Sequence, residues 1–254
     1  MTGESTDIID DIIHAEIDYP RTYTNTAERA YGLLFHNGEV PDSHMSNHAR
    51  VFRAEDDTMA AAVADLTAFY RDRGLRPCVF SVSRPCGAGT LRNALASAGF
   101  TFRNDTDRFF IHRETCRPKH VPDVQVGRAS DVSAGLAEMM LRSDRQWMPK
   151  VLERQLRLPS FHLLEVFASG RPVCMGTLQE LGKCSYVDHV LTDKEHRGKG
   201  YACSLLDYLL DYHAAEIGNT LYLRAENPTA IRIYQEAGFV ELEGQLESWS
   251  AWLE

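Results

Sequence analysis

The sequence predicts an α/β fold, in which strands and helices follow one another along the chain and the helices flank a sheet. Short apolar runs typical of strands alternate with segments whose apolar residues recur every three or four positions, as in amphipathic helices. A glycine-rich turn, Arg197-Gly198-Lys199-Gly200, lies between one such run and the longest helical segment. A strand, a glycine turn and a helix in this order are typical of α/β proteins that bind phosphate.

The composition is that of a globular protein and argues against several classes of partner. The chain has 254 residues, 44% hydrophobic and 25% charged, enough for one large or two modest domains with filled cores. Its formal net charge of −9 argues against nucleic acid or an anionic membrane as the main partner. The same charge suits a substrate that carries an amine.

The cysteines and the N-terminal segment indicate a cytoplasmic location. No basic stretch followed by an apolar core marks a signal peptide, and no apolar run approaches the length of a membrane span. None of the cysteines forms a Cys-x-x-Cys pair, so we expect reduced and mostly buried thiols and no metal site. The six are Cys78, Cys86, Cys116, Cys174, Cys184 and Cys203.

The first half of the chain has a simple pattern of predicted elements. They are a helix over 5–17, irregular structure over 18–47 with one short strand near 31–35, a helix over 58–73, a strand over 78–82 and a helix over 90–98. His36, His44 and His48 fall in the first part of this half without the spacing of metal ligands, and we interpret them as loop histidines.

The second half predicts a longer series, beginning after a linker over 115–123. The series is a strand over 124–128, a helix over 134–141 capped at Ser130-Asp131, a helix over 147–158, strands over 162–167, 174–179 and 186–191, a helix over 201–217, a strand over 221–224 and a helix over 230–237.

The glycine turn indicates an anion site. The first N–H groups of a helix have no partner within the helix, and they attract a phosphate placed above the turn. Glycine at 198 and 200 permits positive φ and lets a phosphate approach the amides. Arg197 and Lys199 add positive charge, and Tyr201 and Ala202 begin the helix.

A second stretch gives the turn a specific meaning. Downstream lies Asn227-Pro228-Thr229-Ala230-Ile231-Arg232-Ile233-Tyr234-Gln235-Glu236-Ala237-Gly238-Phe239. Together the two stretches resemble the GCN5-related N-acetyltransferase superfamily, through its Arg/Gln-x-x-Gly-x-Gly/Ala loop and its Asn-x-x-Ala-x-x-x-Tyr-x-x-x-Gly-Phe segment. The resemblance is specific over 124–254 and implies the mixed sheet flanked by helices of that family.

The resemblance also implies a cofactor and roles for several residues. The cofactor is acetyl-coenzyme A, with its pyrophosphate on Arg197 to Ala202 and its pantetheine arm along the backbone of Val190, Leu191 and Thr192. Asn227 would bond the pantetheine and also cap the last helix, with Pro228 at its first position. Tyr234 would protonate the leaving thiolate.

The general base stays open at this level. Asp188 and His189 precede the glycine turn, and strand alternation sends their side chains to opposite faces, with Asp188 on the face of Tyr186 and Val190. We choose Asp188 as the candidate base. Glu226, His189 or a chain of water molecules are the alternatives.

Acceptor selectivity in this superfamily usually comes from the loop between the first two helices and from the C-terminal hairpin. These correspond to Ser143–Met148 and to 245–252, so Trp147, Trp249 and Trp252 are candidate pocket walls.

The first half predicts a degenerate copy of the same half-fold. Its order of helix, strand, helix and Gly99-Phe100 repeats the order that ends in Gly238-Phe239. It lacks the phosphate turn, and Leu95 takes the place of Tyr234. We therefore expect a structural, substrate-covering domain over 1–118 and a catalytic domain over 119–254.

The predicted function is acetyl transfer from acetyl-coenzyme A to a primary amine of a small molecule, by direct attack in a ternary complex. A protein N-terminal or lysine acetyltransferase is one alternative, and a regulatory module that binds acyl-coenzyme A without turnover is another. A homodimer is compatible with these patterns.

Overall fold

The computed structural model describes residues 4–85, 89–113 and 124–254, with backbone alone for residues 4–7. In chain order its helices and strands are α1 (Glu4–Asp18), β1 (Asn25–Arg29), β2 (Gly32–His36), β3 (His48–Val51), α2 (Met59–Arg71), β4 (Cys78–Ser83), α3 (Gly89–Ser97), β5 (Thr101–Asn104), β6 (Arg108–His112), β7 (Gln125–Ala129), α4 (Ala134–Arg142), α5 (Met148–Gln155), β8 (Phe161–Ala168), β9 (Arg171–Leu181), β10 (Cys184–Thr192), α6 (Tyr201–Glu216), β11 (Thr220–Ala225), α7 (Pro228–Glu236), β12 (Phe239–Glu241) and β13 (Glu247–Trp252).

The chain forms two compact units. The first comprises Met1–Thr106 and Glu243–Glu254, and the second comprises Asp107–Leu242. This division differs from the predicted boundary between 118 and 119, which lies with the predicted linker outside the described residues. The physical reason is strand pairing, because β6 pairs within the sheet of the second unit and β13 within that of the first.

Each sheet is mixed. Among the described residues the first sheet has six strands and the second seven, and the two have the same arrangement of strands around one parallel pair. The order is β1-β2-β3-β4-β13-β5 in the first unit and β12-β6-β11-β10-β9-β8-β7 in the second. Strands β3 and β4 pair in parallel, as do β10 and β11. An antiparallel strand then follows in both sheets, β13 beside β4 and β6 beside β11. The predicted fold class, a mixed α/β fold in two similar halves, is confirmed.

Helix α2 supplies much of the core of the first unit. The apolar stripe that predicted it is buried, including Leu66 and Tyr70, because these side chains recur on the face turned to the sheet. Leu95 of α3 and Trp249 of β13 complete this core. The predicted irregular segment 18–47 holds two strands, β1 and β2, where the sequence indicated one.

The sheet of the second unit has a core on each face. On one face, α6 and α7 pack through residues such as Leu205, Leu206 and Ile231. On the other, α4 and α5 pack through Met139 and Leu152, among others. The sheet therefore holds the start of α6, the end of β10 and α7 in a fixed arrangement.

The cap of α4 is Ser133, whose hydroxyl accepts from the Leu136 N–H at 3.2 Å, and not Ser130-Asp131 as predicted. Among the described residues, no helix is both long enough and apolar enough to span a membrane.

Candidate active site

The second unit has a cavity of about 1090 Å³ between the end of β10, the glycine turn and α7. All the residues that the sequence predicted for cofactor binding line it: Val190, Leu191, Thr192, Arg197, Gly198, Lys199, Gly200, Tyr201, Ala202, Asn227 and Tyr234. The fold thus brings together two motifs that are separated by a helix and a strand.

The glycine turn has the backbone that the sequence predicted. Gly198 has φ +76° and Gly200 has φ +83°, both in the left-handed region that favours glycine. The Gly200 carbonyl accepts from the N–H groups of Cys203 and Ser204 at 2.9 and 3.1 Å, and α6 begins there. A Cβ added at Gly198 would meet no protein atom within 4 Å, so the backbone conformation, and not crowding, requires glycine.

The sheet opens beside this turn. The parallel pairing of β10 with β11 ends at Val187 opposite Leu223, four residues into a nine-residue strand. The pairing of β10 with β9 is interrupted between Asp188 and Leu191. The backbone of 190–192 therefore borders the cavity where β10 separates from β11, as an extended arm held along a strand would require.

His189 lies at the interruption, with φ +53°. The Asp188 carboxylate accepts from the His189 N–H at 2.7 Å and supports this strained backbone. Simple alternation, from which we expected Asp188 and His189 to lie on opposite faces, is therefore interrupted at this point.

The charge around the cavity is mainly positive, although the chain as a whole is acidic. The basic side chains at its wall are Arg145, Arg197, Lys199 and Arg232, and the acidic one is Glu236. Such a lining attracts a polyphosphate. Sequence reasoning missed Arg145 and Arg232. Arg145 belongs to the loop predicted to face the acceptor, but only tertiary packing brings its side chain to the cavity beside the glycine turn. The position of Arg232 on α7, two residues before Tyr234, could have indicated its place in the lining.

Tyr234 lies on α7 with 8% of its surface exposed. Burial raises the pKa of its phenol well above the usual value, and the negative charge of Asp188 and the Cys174 thiol act in the same direction. The phenol therefore stays protonated at neutral pH.

Asn227 caps α7, as predicted. Its side-chain oxygen accepts from the N–H groups of Thr229 and Ala230 at 2.9 and 3.3 Å, and Pro228 is the first residue of the helix. Asp188 does not line the cavity itself, and its side chain is 26% exposed. Glu226 is exposed and also lies outside the lining.

The three tryptophans differ in their positions. Trp147 follows α4 in the predicted acceptor loop, and its ring lies 5.7 Å from that of His189. Trp249 is fully buried in the core of the first unit, and Trp252 belongs to the same strand. The expectation that 245–252 forms a hairpin of the catalytic domain is wrong, because β13 pairs with β4 and β5.

A family model described as "Acetyltransferase (GNAT) family" matches residues 134–239. A spermidine N(1)-acetyltransferase of Vibrio cholerae serotype O1 is 38% identical to this chain over 77 residues. That match covers 27% of this chain and 44% of the relative, so the chain spans less than half of that protein's length.

Solved structures extend the likeness to nearly the whole fold. A GCN5-related N-acetyltransferase from Kribbella flavida superposes with a TM-score of 0.70 at 15% identity, covering 96% of this chain and 95% of its own. A tandem GNAT protein from the clavulanic acid biosynthesis pathway gives 0.59 at 13% identity, covering 81% and 75%. At these identities the likeness concerns the fold alone.

Proposed function

We propose that residues 134–239, which match the acetyltransferase (GNAT) family model, form a catalytic domain of that family, and that the protein transfers acetyl from acetyl-coenzyme A to a primary amine of a small molecule. The observation that carries the proposal is the cavity of the second unit, where a left-handed glycine turn, an opened strand and a buried tyrosine meet. The reaction is direct attack in a ternary complex.

The lining fits coenzyme A on two grounds. The N–H groups at the start of α6, with Arg197 and Lys199, suit a pyrophosphate. The extended backbone of Val190, Leu191 and Thr192 suits an arm rich in amides. Acetyl-coenzyme A supplies the acetyl group as a thioester. The backbone N–H near Val190 would polarise the acetyl carbonyl.

Tyr234 is the proposed proton donor. Its hydroxyl is protonated at neutral pH, as that of an unperturbed tyrosine also is, and this is the form that can protonate a leaving thiolate. Asp188 is the proposed base, because it lies beside the opening of the sheet, where the pairing of β10 with β9 is interrupted. Its carboxylate would attract the ammonium form of the acceptor and take the proton that the amine must lose.

The acceptor class follows from charge. The chain is acidic overall, and the relative that it matches is named a spermidine acetyltransferase, which supports a cationic amine as acceptor. The first unit serves as a structural half. We place the protein in the cytoplasm, where its described cysteines (Cys78, Cys174, Cys184 and Cys203) stay reduced.

The proposal is tested first by binding. Acetyl-coenzyme A should raise the melting temperature, since a ligand bound only by the native state stabilises it. A screen of polyamines, amino acids and aminoglycosides, with release of free thiol as the measurement, should then identify the acceptor. No change in melting temperature at millimolar acetyl-coenzyme A would refute the proposal.

The role of Tyr234 is tested with Tyr234→Phe. We expect turnover to fall by about 10²- to 10⁴-fold, the usual contribution of a positioned proton donor. Binding of acetyl-coenzyme A, measured by calorimetry, should stay unchanged because the ring is kept. Unaltered turnover across the pH range would show that another group is the donor.

A further inference from the structure

Asp193 is a buried carboxylate directly after β10. Its side chain is 4% exposed, and its main-chain N–H donates to the Val173 carbonyl at 3.0 Å. One carboxylate oxygen accepts from the Glu195 N–H at 3.3 Å and caps the short turn Lys194–His196, which leads into the glycine turn. The conformation of the glycine turn therefore depends on how this carboxylate is held.

Arg142 holds the other oxygen of that carboxylate. Its guanidinium donates to Asp193 at 2.5 Å, and this contact keeps the pKa of the carboxyl low against the opposing effect of burial. Arg142 is the last residue of α4, and the acceptor loop begins with the next residue. A side chain at the end of α4, next to the acceptor loop, thus neutralises the carboxylate that caps the turn leading into the glycine turn.

A second contact joins the same two segments. Lys194 donates to Asp144 at 3.2 Å, and Asp144 has φ +59°, an unfavourable conformation for a residue with a side chain. The next residue, Arg145, lines the cavity together with the glycine turn. Both side chains of the Lys194 pair are exposed, and that pair contributes little by itself. Arg142 is also half exposed, but its partner Asp193 is only 4% exposed, so the coupling depends mainly on Arg142 and Asp193.

We propose that Arg142 is a positioning residue that, through Asp193, couples the glycine turn to the loop Ser143–Trp147. Binding of coenzyme A to the turn then orders the loop that faces the acceptor, and ordering of the loop strengthens the binding of coenzyme A. The inference rests on the proposed function, since it assigns the turn to coenzyme A.

The chemistry of a buried charge supports this coupling. Loss of the Arg142 guanidinium leaves the buried Asp193 carboxylate with the Glu195 N–H and the His196 ring, whose Nδ1 lies 4.0 Å away. Neither replaces the guanidinium, so the carboxylate moves or admits water. Movement of the carboxylate or entry of water would each disturb the turn that Asp193 caps at Glu195. The backbone of Gly198, a few residues later, would be disturbed with it. Glu138 also approaches Arg142, at 3.8 Å, but both side chains are exposed there.

The test compares Arg142→Gln, Arg142→Lys and Asp193→Asn with the matched control Glu138→Gln, which removes a charge beside Arg142 without touching Asp193. Calorimetry gives the Kd for coenzyme A. Acrylamide quenching of Trp147, taken as the difference between each protein and the same protein carrying Trp147→Phe, reports the loop. Both measurements use the full chain and need no acceptor.

We expect coenzyme A to protect Trp147 from acrylamide in the wild type and in Glu138→Gln. In Arg142→Gln and Asp193→Asn the protection should be lost and the Kd should rise about tenfold, within the usual range of coupling between sites. The Kd and the protection of Trp147 in Arg142→Lys should lie between those of the wild type and those of Arg142→Gln. This variant keeps the test decisive if Arg142→Gln does not fold.

The outcomes separate the two proposals. A wild type that does not bind coenzyme A overturns both. Variants that melt at lower temperature but keep the wild-type Kd and the protection of Trp147 overturn the coupling alone, because the pair would then contribute only to stability.

Discussion

Alanine at Gly198 should separate the effect of backbone strain from that of ligand binding, with Gly170 as the matched control. Gly198 and Gly170 have φ of +76° and +73°, and a Cβ at either position would meet no protein atom within 4 Å. Gly170 lies in the turn between β8 and β9, outside the cavity lining. The two substitutions therefore strain the backbone equally but differ in their distance from the proposed pyrophosphate.

The expected magnitudes follow from this geometry. A left-handed conformation costs alanine about 1–2 kcal/mol relative to glycine. Restricting the unfolded chain returns about 0.4–1 kcal/mol, so each variant should lose about 1 kcal/mol of folding free energy. Such a loss lowers the melting temperature by about 2–4 °C in a protein of this size.

Binding should distinguish the two variants. A methyl group over the turn keeps a phosphate from the amides, and a hydrogen bond to a charged group contributes about 1.5–3 kcal/mol. Gly198→Ala should therefore bind coenzyme A about 10- to 100-fold more weakly, while Gly170→Ala binds as the wild type does.

Differential scanning fluorimetry and titration calorimetry measure the two quantities separately. Equal losses of melting temperature with an unchanged Kd in both variants would refute the reasoning, because the pyrophosphate could not then lie against Gly198. A lower affinity in Gly170→Ala would show instead that strain spreads through the unit.

Two further predictions concern buried groups. Burial raises the pKa of the Cys203 thiol at the cavity wall, so iodoacetamide should modify this thiol slowly. Acetyl-coenzyme A should slow the modification further, and peptide mapping measures its extent. Equal modification with and without the ligand would contradict this prediction. His48 is a fully buried residue of β3, and the prediction of a loop histidine at this position is wrong. Burial and the Arg50 guanidinium hold the pKa of His48 well below its usual value of 6.5, so only the unfolded chain binds a proton at this residue as the pH falls below 6.5. Stability should fall there by up to about 1.4 kcal/mol per pH unit, and His48→Phe should flatten the dependence of melting temperature between pH 7.5 and 5; identical slopes would exclude His48 as a cause.

The elements and the cavity lining could be predicted because their signals are local. Helical periodicity gave α2 within two residues at each end, and glycine at 198 and 200 indicated the left-handed turn. The cap at Asn227 followed from residue type and from the proline after it. Each of these depends on neighbours within a few positions, so no knowledge of the tertiary fold was needed.

The missed features depend on contacts far apart in the sequence. The pattern of β13 fits a strand in either sheet, and only pairing decides that Trp249 enters the core of the first unit. The interruption of the strand pairing at His189 cannot be predicted from the alternation of residues along β10, because it arises where β10 separates from β11. Arg142 and Asp193 lie on segments that are far apart in the sequence, so no residue spacing could predict their ion pair.

Strand β6 precedes the second unit's other strands but pairs in its sheet, and β13 follows them but pairs in the sheet of the first unit. This arrangement has a consequence for biosynthesis. The gap between β4 and β5 is filled only after Glu247–Trp252 has been made, by which time every strand of the second unit has been translated. The sheet of the first unit therefore lacks its strand between β4 and β5 until translation is nearly complete. Strands that are this far apart in the sequence pair slowly. A gene cut at codon 118 would give two fragments that each carry the other's missing strand, so co-expression should recover folded protein where separate expression gives aggregates.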